Sequence, residues 1–268
     1  MSRKISCGNL QGIMRQSFKN ALGATALIGL SLYLWRIAYE FGDWAIITLF
    51  PLAAFICLGS WTLALAPWKA RLKITLRDDS RFSRFLTGKM RAGLLAFAFT
   101  FIGVTLLAWQ ALQASPLQAG IMLALVFIAG SIFSVGERFF ERHFHQPFAR
   151  AISVSAATWL VALPFFFIIA YVVWAWEQLP GPLLDASFAE AIQIGINELP
   201  NRRGWLAEIL AIPFAYESVR SWVAVQLKDY PLIGVLFSMD AALFSFVLAR
   251  TGIVVTQVLQ SQNHGGAE

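Results

Sequence analysis

The chain has 268 residues, is 58% hydrophobic and 13% charged, and has a mean hydropathy of +0.64. A soluble domain is nearer half apolar and a quarter charged, so a water-surrounded globule is excluded and lipid is the expected solvent for most of the chain. The net charge of +6 is held in short blocks between apolar runs, where cations meet anionic headgroups, and this argues against a nucleic-acid partner.

Residues 1–20 are polar and basic, with Arg3, Lys4, Arg15 and Lys19, and read as a cytoplasmic N-terminus. The first apolar run starts near Ala21, too long for the core of a cleaved leader, so it is expected to act as an uncleaved anchor through Tyr39. Ala21, Thr25 and Gly29 recur every four residues and would let another helix approach closely. Arg36 and Glu40 stand at its far end beside Trp35. A second span covers 44–66, with Pro51 expected to kink it early and Pro67 and Trp68 to close it. Cys57 lies inside this span and Cys7 in the polar start, so no disulfide is expected between them.

The stretch 67–91 reads PWKARLKITLRDDSRFSRFLTGKMR, with eight Lys and Arg residues against only Asp78 and Asp79. Such a short basic loop stays cytoplasmic, and the other loops follow by alternation. Asp79 or Ser80 can cap a short helix that places Phe82, Phe85 and Leu86 on one face and Arg81, Arg84 and Lys89 around the rim. That is the pattern of a helix lying on anionic phospholipid headgroups; a solvated connector is the plainer alternative.

The third span, 92–112, is joined by a turn at Ser115–Pro116 to the fourth, 117–136, so the two are expected to form an antiparallel hairpin. The segment 137–150 is a second charged cytoplasmic loop. The fifth span runs over 151–176, contains Pro164 and completes a five-span region, 21–176. Residues 177–230 change character: the acids Glu177, Asp185, Glu190, Glu198, Glu208, Glu217 and Asp229 outnumber the bases Arg202, Arg203, Arg220 and Lys228. Here Asp185 would cap a helix with Phe188, Ile192, Ile196 and Leu199 on one face. The piece 204–228 is long enough to cross, but Glu208, Glu217 and Arg220 would each cost roughly 2.5–3.5 kcal/mol near the bilayer centre. We therefore expect external interfacial or re-entrant helices over 177–230, with a seventh span as the alternative. The last span is 231–260, and 261–268 is a cytoplasmic tail. The expected fold is an all-α polytopic bundle of about six spans in a bacterial-type inner (plasma) membrane, both termini cytoplasmic. Trp35, Trp44, Trp109, Trp174 and Trp176 fall at one boundary, as an interfacial belt would.

No zinc-protease, nucleophile-elbow or phosphate-loop motif is present. His143, His145 and His264 all lie outside the spans, which excludes bis-histidine haem ligation and a Ser–His or Cys–His pair within the bilayer. No cofactor is expected. Asp240 reads as an acid near mid-span, and intramembrane acids are functional hypotheses by default; its structural alternative is a bond to Arg220, Arg250 or a hydroxyl. Glu208, Glu217 and Arg220 form a second polar group, in which Glu217 and Arg220 can pair within one turn. Glu137, Glu141 and His145 share a spacing of four and offer a weak metal site, against a plainer set of ion pairs with Arg138 and Arg142. Three functions follow: a non-catalytic subunit or scaffold of an envelope assembly of secretion, conjugation or transport type, with protein partners or as a homo-oligomer; a small transporter or channel using Asp240 with Arg250 or Glu217 and Arg220; and a lipid-modifying enzyme using the outer segment. The scarcity of polar residues inside the spans favours the first.

Overall fold

A helix that crosses lipid must satisfy its own backbone, and the chain obeys this throughout: every regular element among the described residues is helical. The computed structural model describes the backbone of residues 7–75, 88–145, 148–176, 183, 186–199, 204–226 and 232–265, and side chains over 15–71, 88–145, 148–168, 183, 186–199, 204–223, 225–226 and 242–262. The elements are α1 (Cys7–Tyr39), a 3-10 helix (Asp43–Leu49), α2 (Phe50–Thr75), α3 (Lys89–Gln113), α4 (Pro116–Glu141), α5 (Phe148–Trp176), α6 (Phe188–Glu198), α7 (Trp205–Gln226) and α8 (Leu232–Gly265).

Six helical segments are long and apolar enough to cross a membrane: Arg15–Tyr39, Asp43–Arg71, Lys89–Gln113, Pro116–Glu141, Phe148–Ile168 and Ala242–Gln262. Each exceeds the roughly 20 residues that a bilayer core requires. They match the six runs read from the sequence; α7 is not among them.

The bundle is organised around α8. It packs against each of α1 to α5, and these close a ring about it in the order α1, α4, α5, α2, α3 and back to α1. Residues Thr251 to Val258 of α8 are consequently buried on every side. Their neighbours include Ile28 of α1, Leu52 and Ile56 of α2, Val126 and Phe133 of α4 and Val154 of α5. Large apolar side chains on the far faces, such as Leu94, Phe97 and Phe101 of α3, are exposed, as a lipid-facing surface requires. The stripe Ala21–Thr25–Gly29 lies toward α4: a Cβ on Gly130 would come 3.2 Å from that of Ala21, and one on Gly29 would come 3.1 Å from Leu123.

Several local expectations are corrected. Helices α3 and α4 are joined by Ala114 and Ser115, and Ser115 forms a capping box with Gln118 ahead of Pro116. They do not pair along their lengths; they splay, and α1 stands between them in the ring. A hairpin turn fixes only where two helices meet, and the packing of α1 decides their angle. Pro51 produces no kink, because the chain is 3-10 up to Leu49 and Pro51 falls in the first turn of α2, where its missing N–H is not needed. Pro67 does not end α2, which continues to Thr75. Trp68 does mark the loop's edge. Gly88 adopts φ 67°, Trp68 lies where a Cβ would project from it, and the Arg91 guanidinium sits 4.8 Å from the indole centroid. The surface-helix reading of Arg81 and Arg84 lies outside the described residues; Lys89 is the exposed first residue of α3.

Candidate functional site

Three polar places are built into this bundle, one at each end and one within. The first is at the end where α1 and α3 finish. Helix α7 lies across it. Leu206, Leu210 and Phe214 pack on Trp35 and Tyr39 of α1, Leu49 of the 3-10 helix and Trp109 and Leu112 of α3. Trp35 donates its Nε1–H to Ala108 O at 2.9 Å and is 1% exposed, so Trp35 and Trp109 belong to this core and not to an interfacial belt. Trp44 is 81% exposed and does fit a belt; the side chains of Trp174 and Trp176 lie outside the described residues.

Polar contacts fasten α7 at two points. At its start, Gly204 has φ 144°, and a Cβ there would stand 2.6 Å from Asp43 Oδ1. Only glycine admits the carboxylate this close, and a negative charge at a helix N-terminus is stabilised by the aligned peptide dipoles. Thirteen residues on, Gln113 of α3 donates Nε2–H to Glu217 Oε2 at 2.5 Å, and Arg220 Nη2 lies 4.0 Å from Glu217 Oε1. The sequence pairing of Glu217 with Arg220 is thus present but long, and the shorter bond is to a different helix. Glu208 is exposed in the first turn of α7. Arg36 donates Nη1–H to Ala114 O at 2.6 Å, satisfying a carbonyl left over at the end of α3. Beneath it, α1, α3 and α4 enclose an apolar cavity of about 170 Å³.

Helix α6 runs back over α7. Its cap is Ser187, which accepts from Glu190 N–H, and Glu190 accepts from Ser187 N–H at 2.7 Å. The Ser187 N–H, and then its hydroxyl, hold the Glu190 carboxyl below its ordinary range. Asp185, expected as the cap, lies outside the described residues.

The second place is the opposite end. Glu137, 9% exposed, accepts from Arg150 Nε–H of α5 at 2.7 Å, and Arg138 donates to Ser17 of α1 at 2.6 Å. Helix α4 ends at Glu141, and the carbonyl of His145 accepts from Phe148 and Ala149 at the start of α5. The four-residue spacing therefore does not put Glu137, Glu141 and His145 on one helical face. Among the described residues no group of three His, Cys, Asp or Glu gathers to hold a metal.

The third place is inside, on α8. Most internal hydroxyls are consumed locally: Thr100, Ser134, Thr158 and Thr256 each donate to a carbonyl four residues back. Such back-bonding occupies their protons, whereas the buried hydroxyls of Ser60, Ser131 and Thr251 have no hydrogen-bond partner among the described residues. Arg250 is different. Its guanidinium carbon stands 5.5 Å from the Phe99 ring centroid of α3 and 5.9 Å from that of Phe246, whose ring packs on Trp159 of α5 at 5.5 Å. Among the described residues it has neither a carboxylate nor a hydrogen-bond acceptor. Two residues after it, Gly252 packs at Val126 of α4, so Arg250 stands level with Ala124, about 12 Å along the helix from Pro116 and about 20 Å from Glu137. Two aromatic faces return roughly 0.5–2 kcal/mol each for a partly desolvated cation. A central Arg costs roughly 2.5–3.5 kcal/mol on insertion scales, so the aromatics offset much of the burden but leave the charge uncompensated.

The side chain of Asp240 lies outside the described residues. Its helix permits one statement of level. Helices α4 and α8 run parallel, with Val126 at Gly252, Gly130 at Thr256 and Ser134 at Gln260, a constant offset of 126. A helix pair keeping that register brings residue 240 level with residue 114, the connection between α3 and α4. The ionisable residue toward mid-depth is then Arg250. Hydropathy places Asp240 inside the last span; among the described residues of α8 the fully enclosed stretch includes Thr251 to Val258.

No family model, no curated protein and no solved structure matches the chain. What the fold itself defines is an all-helical membrane protein with six helices long and apolar enough to span, the last of them at the centre.

Proposed function

We propose that the protein is a non-catalytic subunit or scaffold of a larger assembly in a bacterial-type inner membrane, with both termini and the loops 67–91 and 137–150 cytoplasmic and 177–230 external. The observation that carries this reading is the central helix. A transporter of this size needs a polar path between its spans, and here the middle of the bundle is filled by α8, enclosed by apolar side chains from five helices. A cavity of about 170 Å³, lined almost wholly by aliphatic groups, lies between α1, α3, α4 and Leu248 of α8. Continued along α8, the register seen at Gly252, Thr256 and Gln260 would bring Asp240 level with the α3–α4 connection, which supports this reading over a mid-span relay. On this reading α6 and α7 are interfacial helices: α7 is apolar on the face against the bundle, through Leu206, Leu210 and Phe214, and also on the face away from it, through Trp205, Ile209, Ile212 and Tyr216. A helix with both faces apolar is suited to lie between protein and acyl chains.

The test is extraction of the tagged, full-length protein from its native membrane in mild detergent. The reading expects it to migrate well above its own 29.7 kDa with other membrane proteins in fixed ratio. A monodisperse protein without companions, combined with solute flux in proteoliposomes that Asp240→Asn abolishes, would replace it with the transport reading.

A further inference from the structure

Arg250 is the one titratable group in the described interior that the fold itself leaves without a counter-charge. Its surroundings say what is missing. It emerges from α8 beside Phe99 of α3, on the face where Leu243, two turns earlier, is 51% exposed. The side chain cannot reach headgroups easily, since it stands level with Ala124, about eight residues of helix from the start of α4 at Pro116. Its aromatic neighbours offer quadrupole but no acceptor. A cation kept at this depth is therefore half of an ion pair whose other half comes from outside the chain.

The sequence restricts where the other half can come from. Apart from Glu137 and Glu141 at the end of α4, the acid carried by the six long apolar helices is Asp240 of α8. Glu137 is committed to Arg150. Asp240 is ten residues away from Arg250 on the same helix, about 15 Å along the axis. A second copy inserted in the same sense offers no carboxylate at the required level. An aromatic and aliphatic flank is also a poor path for a hydrated anion.

We propose that Arg250 is the docking point for a different membrane protein, one spanning helix of which carries an Asp or Glu near mid-bilayer and lays it against the guanidinium beside Phe99 and Phe246. The proposal rests on the subunit reading and names the kind of partner that the reading requires. Charge supplies the specificity, because the wrong helix would bury an unpaired arginine and the right one neutralises it. The flanking Phe99, Phe246 and Trp159 would then close around the pair and exclude water.

A photoreactive residue in place of Leu243, in the full-length protein in native membranes, tests this, with one in place of Tyr216 on α7 as a second position. Mass spectrometry of the Leu243 adduct is expected to identify an apolar helix containing a carboxylate. Arg250→Lys should retain the adduct, and Arg250→Gln should reduce it about 30-fold or more. The isolated Arg250→Gln protein should melt in detergent no lower than the parent, since it loses a charge that only the complex satisfies. Exchanging the charges, Arg250→Asp with the partner's acid changed to Arg, should restore the adduct. Adducts only with lipid, with a second copy, or with a helix lacking an acid would overturn the proposal, as would an adduct indifferent to Arg250→Gln. A protein adduct at Tyr216 but none at Leu243 would leave the subunit reading standing and remove Arg250 from it. No protein adduct at either position would remove both.

Discussion

The seating of α8 in its ring can be measured by a single methyl group. A Cβ on Gly59 of α2 would overlap the Val254 Cγ1 methyl and stand 2.9 Å from Val258 Cγ2 and 3.0 Å from the Val254 carbonyl oxygen. Valine in a helix is held in essentially one rotamer, so the methyls cannot swing aside, and a backbone oxygen cannot move without its helix. Gly59→Ala therefore forces α2 away from α8, an overpacking cost of roughly 1–3 kcal/mol. Against this stands the gain from replacing a mid-helix glycine, up to about 1 kcal/mol. Gly93→Ala in α3 and Gly120→Ala in α4 measure that gain alone, because nothing lies within 4 Å of a Cβ at either position. The controls should be neutral or stabilising, and Gly59→Ala should fall below them by the full roughly 1–3 kcal/mol. Adding Val254→Ala removes the worst overlap, so the pair should be more stable than the sum of its parts by at least about 0.5 kcal/mol. Equilibrium unfolding of purified protein in mixed micelles reads all four variants. If Gly59→Ala matches Gly120→Ala, α2 is not in van der Waals contact with α8 and the ring as described is wrong.

Three further expectations concern the ends of the bundle. In a background lacking Cys7 and Cys57, cysteine at position 190 should react with an impermeant reagent applied from outside and cysteines at 78 and 141 should not; external labelling at 78 would invert the whole topology. Changing Arg81, Arg84 and Lys89 together to Gln should weaken association with anionic vesicles by roughly 1 kcal/mol per cation without altering thermal stability, and equal binding to neutral vesicles by a peptide of residues 79–91 would remove the electrostatic argument. Because Glu190 is held below its ordinary value, its contribution to the first turn of α6 is present above a carboxylate's usual pKa of about 4.3 and lost as pH falls through its lowered value. Amide exchange at Ala191 and Ile192 should rise over that acidic range in the parent but be flat with pH, beyond the intrinsic rate, in Glu190→Gln.

What the sequence revealed and what it hid divide along a physical line. Span positions were legible because transfer into lipid is a local property of some twenty consecutive residues. The turn at Ser115–Pro116 and the Ala21–Gly29 stripe were legible for similar reasons, each being a short pattern with a steric meaning. Which helices touch was not. In water an apolar stripe marks the buried face, but here lipid-facing and protein-facing sides are equally apolar, so periodicity carries no direction. Nothing in α1 distinguishes Trp35, buried beneath α7, from Trp44, which is exposed. The fastening residues Arg36, Asp43, Gln113 and Arg150 were passed over as candidates because each looks like an ordinary boundary polar residue. Their partners are 78, roughly 160, 104 and 13 positions away, separations that only packing can bring together. His145 failed for a simpler reason: a spacing of four has meaning only while the helix lasts, and α4 stops at Glu141.

The central position of α8 also explains why its composition could depart from that of the other spans. Its apolar segment holds Arg250, Gln257, Gln260, Thr251 and Thr256. A segment meant to face acyl chains pays for each such group, whereas one that enters a ring of five helices can place them against protein. Thr256 bonds back to Gly252, and Gln260 reaches Ser134 of α4 at 2.7 Å. The most enclosed of the six segments thus carries threonine and glutamine side chains along its buried length. It is also the last of the six in the chain, so its five neighbours are made before the element that fills them. Small residues facing the axis, Ala24 of α1 and Ala129 and Gly130 of α4 among them, leave the ring room to receive it. On this logic Arg250 stands out more sharply, not less: on a helix that sets polar groups against protein, it is the charged group for which the described residues supply no acceptor.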